Sequence, residues 1–225
     1  MSDTAKRKAA LAAVELVQDG MCLGIGTGST AEHFIQLLGE KVRAGLSVTG
    51  VATSDRSAEL CRGFGITLTD LDQTPALDLA IDGTDEFDGG LNLIKGGGGA
   101  LLREKIVAAA AKRFVVIADG SKQVAVLGAF PLPVEIIPMA RGPISMRLTD
   151  MGAVVSLRLA SGSQPFRTDE GHWILDARFG PVITAPGELA KDLSTWPGVV
   201  EHGLFCDMAE CVMLGTEDKV TVVTG

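Results

Sequence analysis

The sequence predicts an α/β fold, and three observations carry that reading. Short apolar runs alternate with helical stretches through about residue 129, glycine or aspartate follows several of those runs, and Phe130-Pro131-Leu132-Pro133 marks a change of rhythm. The alternation implies a Rossmann-like, mostly parallel sheet with helices on both faces, and the change implies an inserted α+β domain. At 225 residues, with 46% hydrophobic and 21% charged side chains, the chain can bury a sizeable core and lies far from the composition of disordered segments.

Each element has its own signal. Apolar residues recur at Ala10, Leu11, Ala13, Val14 and Val17, so a helix is expected over residues 3–19, closed by Gly20. Residues 21–25 read as a short buried strand, and Ser29-Thr30-Ala31-Glu32 is a capping box opening a helix to about residue 44. Residues 46–52 form a second strand, Ser54 caps a helix to about Gly63, and residues 77–81 form a strand that runs into Asp82. A helix over 100–112 and a strand over 114–118 follow.

Beyond the prolines, strands over 134–137, 154–159, 173–179 and 199–205 are interleaved with helices over 140–151 and 188–194. Their order, β-α-β-β-α-β, is that of a ferredoxin-like split unit. Residues 211–214 and 220–223, around Gly215-Thr216-Glu217-Asp218, form a hairpin returning to the first sheet. The expected domains are therefore 1–129 with 206–225, and 130–205, the latter expected to mediate self-association because its short apolar strands leave an edge to cover.

Composition narrows the function. A net charge of −8 argues against a non-specific grip on nucleic acid. Apolar stretches such as residues 106–111 fall well short of the ~20 residues of a membrane span, and the N-terminal segment lacks the solid apolar block of a secretory signal. Cys22, Cys61, Cys206 and Cys211 contain no C-x-x-C pair and read as reduced, mostly buried thiols, in keeping with a cytoplasmic setting.

Four constellations can carry chemistry. Gly24-Ile25-Gly26-Thr27-Gly28-Ser29-Thr30 sits where a strand hands over to a helix, so backbone N–H groups, hydroxyls and a helix N-terminus converge on one point and suit a phosphate. A tight strand-to-helix turn would use the same glycines; the hydroxyls favour the anion. As a dinucleotide fingerprint it is poor, because Ser29 stands where the last glycine belongs and Asp55, the nearest acidic residue after the second strand, comes late for a ribose contact. Asp82-Gly83-Thr84-Asp85-Glu86-Phe87-Asp88 places four carboxylates at a strand's carboxyl end, without the alternate spacing of a calcium loop. Such a group persists when solvated, cation-bound or used as acids and bases. His33, His172 and His202 show no helical pairing, so a histidine metal site is not indicated.

The third is Lys95-Gly96-Gly97-Gly98-Gly99, followed by Arg103-Glu104-Lys105. The lysine precedes the glycines, so this is no Walker loop; four glycines leave bare backbone for a ligand, and Glu104 falls on the first turns of the next helix, able to point back toward Lys95. The fourth, Asp119-Gly120-Ser121-Lys122, delivers a lysine just past a strand end, where it can neutralise a phosphate or carboxylate.

As a set and in this order, residues 26–31, Thr53-Ser54-Asp55-Arg56-Ser57, residues 82–86, 95–105 and 119–122, with Pro133-Val134-Glu135-Ile136-Ile137-Pro138, resemble the type A ribose-5-phosphate isomerase family over nearly the whole chain. Thr84 stands where that family more usually has alanine. The resemblance implies interconversion of ribose 5-phosphate and ribulose 5-phosphate through an enediol, in the non-oxidative pentose phosphate pathway, with no metal or other cofactor. It implies Glu104 as the general base, Lys95 facing the developing oxyanion, and Asp82 and Asp85 on sugar hydroxyls, ring opening and proton transfer between oxygens. Thr27, Gly28, Ser29, Thr30, Gly83, Thr84, Gly96, Gly97, Gly98, Lys122 and Lys6 are then the substrate contacts, some of them to phosphate. The partner is a small phosphorylated sugar, not nucleic acid or membrane, and the expected assembly is a homodimer or higher homo-oligomer. Amino-sugar-phosphate deamination and a sugar-phosphate sensor are the alternatives; the sensor would normally carry a DNA-binding appendage for which this chain has neither length nor basic surface.

Overall fold

The structure, a computed structural model, describes residues 2–225. In chain order the first elements are α1 (Asp3–Val14), β1 (Cys22–Ile25), α2 (Ser29–Arg43), β2 (Thr49–Ala52), α3 (Asp55–Gly63), β3 (Thr67–Leu68) and β4 (Leu79–Asp82). Next come β5 (Glu86–Phe87), β6 (Leu93–Ile94), α4 (Leu101–Ala110), β7 (Phe114–Asp119), β8 (Leu132–Ile136), α5 (Arg141–Asp150), β9 (Val154–Leu157) and β10 (Trp173–Arg178). The remainder is α6 (Pro186–Ser194), β11 (Val199–His202), β12 (Leu204–Phe205), β13 (Cys211–Gly215) and β14 (Val220–Val223). Among the described residues no helix is long and apolar enough to cross a membrane.

Two compact units result. The first takes the chain up to Thr84, then Arg103–Gln123 and Met208–Gly225; the second takes Asp85–Leu102 and Val124–Asp207. Asp85–Leu102, expected with the first domain, thus falls in the second unit, because β5 and β6 form a small sheet with β12.

The first unit holds a seven-stranded sheet in the order β14-β13-β7-β4-β1-β2-β3. Only the β13–β14 pairing is antiparallel, and that pair is the expected hairpin. β4 and β7 are buried along their whole length, as parallel strands covered on both faces require. Chain order reverses at β1, which has β2 on one side and β4 on the other, so the crevice where open α/β sheets take ligands opens beyond the carboxyl ends of β1 and β4. The core below is formed by Leu23, Ile25, Phe34, Leu38, Leu79, Ile81, Val115 and Ile117 with the alanine face of α1. As expected, Ser54 caps α3, accepting from the Ser57 N–H.

Two expected helix ends move. α1 stops at Val14 because the chain beyond it is tied elsewhere: Asp19 Oδ1 accepts from the Ser47 N–H at 2.7 Å, and the Gly20 N–H donates to the Ser47 carbonyl at 2.7 Å. Ser29 is the first residue of α2 and caps nothing; the N-cap is Gly28 at φ 111°, a conformation glycine takes without strain.

The second unit holds an antiparallel sheet in the order β11-β8-β10-β9, with α5 and α6 in its connections. Leu132, Val134 and Ile136 of β8, Leu175 and Ala177 of β10, Ile144 and Leu148 of α5, and Leu193 and Trp196 form its core. The strand expected over 199–205 is two strands in different sheets, parted at Gly203. The Gly203 N–H donates to the Pro133 carbonyl and its own carbonyl accepts from the Lys95 N–H, both at 2.8 Å. A side chain at Gly203 would meet the Lys95 carbonyl at 2.3 Å, so only glycine fits this crossing.

Candidate active site

The chain passes from the first unit to the second between Thr84 and Asp85 and returns between Leu102 and Arg103, so the candidate residues divide between the two. In the first unit, β1 delivers the loop at 26–28 and β4 delivers Asp82 beside it. Asp82 Oδ1 accepts from the Thr27 N–H at 3.0 Å and from the Gly83 N–H at 2.7 Å. Asp82 is only 3% exposed, and a Cβ on Gly26 would lie 2.1 Å from its Oδ1. The third residue of the first constellation's G-x-G is therefore space for a carboxylate.

The Thr27 hydroxyl turns into the protein. It lies 2.7 Å from Thr53 Oγ1, donates to Ser54 Oγ at 2.8 Å, and lies 3.1 Å from Ser57 Oγ, which donates to the Gly26 carbonyl at 2.8 Å. This hydroxyl cluster holds the loop from below and leaves Thr27 to act through its backbone. Sequence reading placed residues 53–57 in the family pattern without a role; the run of three hydroxyls was the available signal. Gly28 and Ser29 are exposed and Thr30 is half-buried on the first turn of α2. Lys6, projecting from α1, donates to Ser29 Oγ at 2.8 Å and so brings a cation to that helix N-terminus.

In the same unit Asp119 ends β7, and Lys122 lies in the short helical turn, Gly120–Lys122, that follows it. Burial acts to raise the Asp119 carboxyl; hydrogen bonds from the Ser121 hydroxyl and N–H, with the charges of Lys122 and Lys6, outweigh it and hold the group below its ordinary range. Both lysines thus act on one buried carboxylate, a role for Asp119 that the sequence reading did not assign. Glu104, 5% exposed, stands on the first turn of α4, where a carboxylate meets the favourable end of the helix dipole.

In the second unit, the Asp85 N–H donates to the Ile94 carbonyl at 2.9 Å, and Asp85 Oδ2 accepts from the Gly97 N–H at 2.7 Å. Lys95 is 2% exposed and its ammonium lies 5.5 Å from the centroid of the Phe205 ring. The glycine run turns with Gly96 at φ 99° and Gly99 at φ 84°, closed by a 2.9 Å hydrogen bond from the Gly99 N–H to the Gly96 carbonyl. Gly97 and Gly98 are exposed, whereas Gly83 and Thr84 of the first unit are half-buried.

The four cysteines are free thiols; Cys61 and Cys211 are buried, and burial raises the Cys61 thiol to about 11, far from a reactive thiolate. Among the described residues, no three His, Cys, Asp or Glu side chains form a group able to hold a metal ion.

In the first unit, a parallel sheet with its reversal point flanked by a glycine and hydroxyl loop and by two buried strand-end and helix-end carboxylates has the make-up of an α/β protein equipped for acid–base chemistry on a small ligand. Comparison with known proteins names it. The family model for ribose 5-phosphate isomerase A (phosphoriboisomerase A) matches residues 49–219. The chain belongs to that family, and it interconverts ribose 5-phosphate and ribulose 5-phosphate.

Ribose-5-phosphate isomerase A of Agrobacterium fabrum (strain C58) is 56% identical over 214 residues, covering 93% of this chain and 92% of that one. The enzyme of Parvibaculum lavamentivorans (strain DS-1) is 49% identical over 228 residues, covering 99% and 98%. Among solved structures, ribose 5-phosphate isomerase A of Methanocaldococcus jannaschii superposes with a TM-score of 0.94 at 42% identity, covering 98% of each chain. A D-ribose-5-phosphate isomerase in complex with phospho-erythronic acid superposes with a TM-score of 0.95 at 40% identity, again covering 98% of each.

Proposed function

We propose that Glu104 is the general base of the isomerisation and that Lys95 steadies the oxyanion formed on the carbonyl oxygen. The observation that carries this reading is the burial of both ionisable side chains, 5% and 2% exposed, at the two ends of one glycine-rich run. A C–H beside a carbonyl is a very weak acid, so its removal needs a positioned base together with a cation or donors aimed at the nascent oxygen charge. In the forward direction Glu104 takes the proton from C2 of the open-chain aldose, the C1 oxygen is protonated to give an enediol, and the same carboxyl returns a proton to C1 as the C2 oxygen becomes the ketone. Asp82 and Asp85 take sugar hydroxyls and pass protons between oxygens during ring opening and isomerisation. No electrons leave the substrate, so the reaction is balanced without a cofactor.

Substrate contacts are assigned to the backbone of Thr27 and Gly28, to Ser29 and Thr30, to Gly83 and Thr84, to the peptides of buried Gly96 and exposed Gly97 and Gly98, and to Lys6 and Lys122, with the phosphate among the cations and N–H groups. Ribose 5-phosphate carrying deuterium at C2, mixed with chelator-treated protein, is expected to yield ribulose 5-phosphate with part of the label lost to water and solvent hydrogen at C1. Complete transfer of the label to C1, with no solvent hydrogen entering, would mean a hydride shift and overturn the proton-transfer reading.

The order β11-β8-β10-β9, antiparallel throughout, supports a ferredoxin-like split βαβ unit. We assign it self-association into a homodimer or higher homo-oligomer, supported by the edge position of β9 and the 73% exposure of its Val154. Light scattering at micromolar concentration is expected to give a multiple of the chain mass; a monomer mass would overturn the assignment. A cytoplasmic setting fits the free thiols.

A further inference from the structure

We propose that Arg158 is a positioning residue for turnover, holding the glycine loop in the conformation that presents Lys95. The inference rests on the reading of Lys95 as the group facing the oxyanion, and every contact that carries it lies within the second unit. Arg158 Nη1 donates to the Gly96 carbonyl at 2.8 Å and to the Gly97 carbonyl at 3.2 Å. The other side of the guanidinium is occupied: Nε donates to Asp176 Oδ2 at 3.0 Å and Nη2 donates to Asp176 Oδ1. Side-chain exposures of 14% and 20% place this pair where water competes weakly.

The loop needs such an external hold. Glycine loses more conformational freedom on folding than any other residue, and four in a row follow Lys95. The Gly97 residue is fastened on both sides, its N–H by Asp85 and its carbonyl by Arg158. A third support comes from the same stretch of chain: Phe166, whose N–H donates to the Arg158 carbonyl at 2.9 Å, packs its ring so closely on Gly99 that a Cβ there would lie 2.5 Å from Cζ.

The two tasks require a planar fork, since carbonyls and carboxylate are held by different nitrogens, and a lysine ammonium at this position supplies charge without that geometry. The test is steady-state kinetics on Arg158→Ala, Arg158→Lys, Lys95→Ala and the Lys95→Ala/Arg158→Ala double variant, each with its melting curve. Arg158→Ala is expected to lose about 30- to 100-fold in kcat with KM within about 3-fold, the scale of a small misplacement of a reacting group. Arg158→Lys is expected to recover less than about a tenth of the parental kcat. The double variant is expected to match Lys95→Ala, because a residue that acts through Lys95 has nothing left to position.

A folded Arg158→Ala with parental kcat, or an effect that multiplies with that of Lys95→Ala, would overturn the proposal while leaving Lys95 in its role. Parental kcat in Lys95→Ala would instead overturn the reading of Lys95 itself. If Arg158→Ala fails to give a cooperative melt, Asp176→Asn, which keeps the guanidinium but removes its anchoring charge, decides: a loss of about 3- to 10-fold in kcat at unchanged KM supports the proposal, and unchanged kcat overturns it.

Discussion

The carboxylate of Asp82 lies directly over Gly26, with Oδ1 2.1 Å from where a Cβ on that glycine would stand. The same oxygen takes the Thr27 and Gly83 N–H groups, so one acceptor fastens the loop after β1 to the end of β4. Glycine at 26 is what lets a strand-end carboxylate reach the turn of the neighbouring strand. Gly26→Ala is therefore expected to displace Asp82, lowering stability by about 1–3 kcal/mol in urea unfolding and kcat by at least about ten-fold. Parental kcat in this variant would show that Asp82 need not occupy this position.

Glu104→Gln keeps shape and hydrogen-bonding capacity and removes the base. The expected loss in kcat is about 10²- to 10⁴-fold, with substrate affinity by calorimetry changed less than about 3-fold. A matching loss of affinity would assign Glu104 to binding.

Thr27→Val tests the hydroxyl cluster as a support. Removing the hydroxyl leaves Thr53, Ser54 and Ser57, all buried, short of a partner, so stability is expected to fall by about 1–3 kcal/mol. Ser54→Ala in that background is then expected to cost less than it does alone, because the two hydroxyls share one network.

Asp119 carries a pH signature. Its folded-state carboxyl lies below its ordinary value of 3.8, so the charged form stabilises the fold at all pH values above that point, and the contribution disappears as pH falls through the depressed folded-state value. Asp119→Asn is expected to be less stable than the parent by about 1 kcal/mol at neutral pH, with the difference flat down to about pH 5 and shrinking below about pH 4. Melting curves at stepped pH measure it; a difference that grows toward acid would invert the sign.

The legible parts of this protein were those whose cause lies within a few residues. β1, β4 and β7 announce themselves as apolar runs, and Ser54 sits at the right offset to cap α3. What escaped depends on distant partners. β5, β6 and β12 have two residues each, too few for any periodicity, and exist only because they pair with one another. The end of α1 is set by Ser47, and the cap of α2 by a glycine conformation that the spacing of Ser29 and Glu32 concealed. In the site, Asp82, Asp85, Lys95 and Glu104 stood out as charges beside strand ends or glycines. Arg158 gave no such signal, since the carbonyls it holds lie some sixty residues earlier in the chain.

The strand β13 lies between β7 and β14, and it is made from residues that follow the whole second unit in the chain. On the ribosome, β7 must therefore wait with an unpaired edge while more than eighty later residues, Val124–Asp207, are translated. The inserted unit has its chance to assemble first, and the sheet that carries Asp82 gains β13 only when Met208–Gly225 emerges.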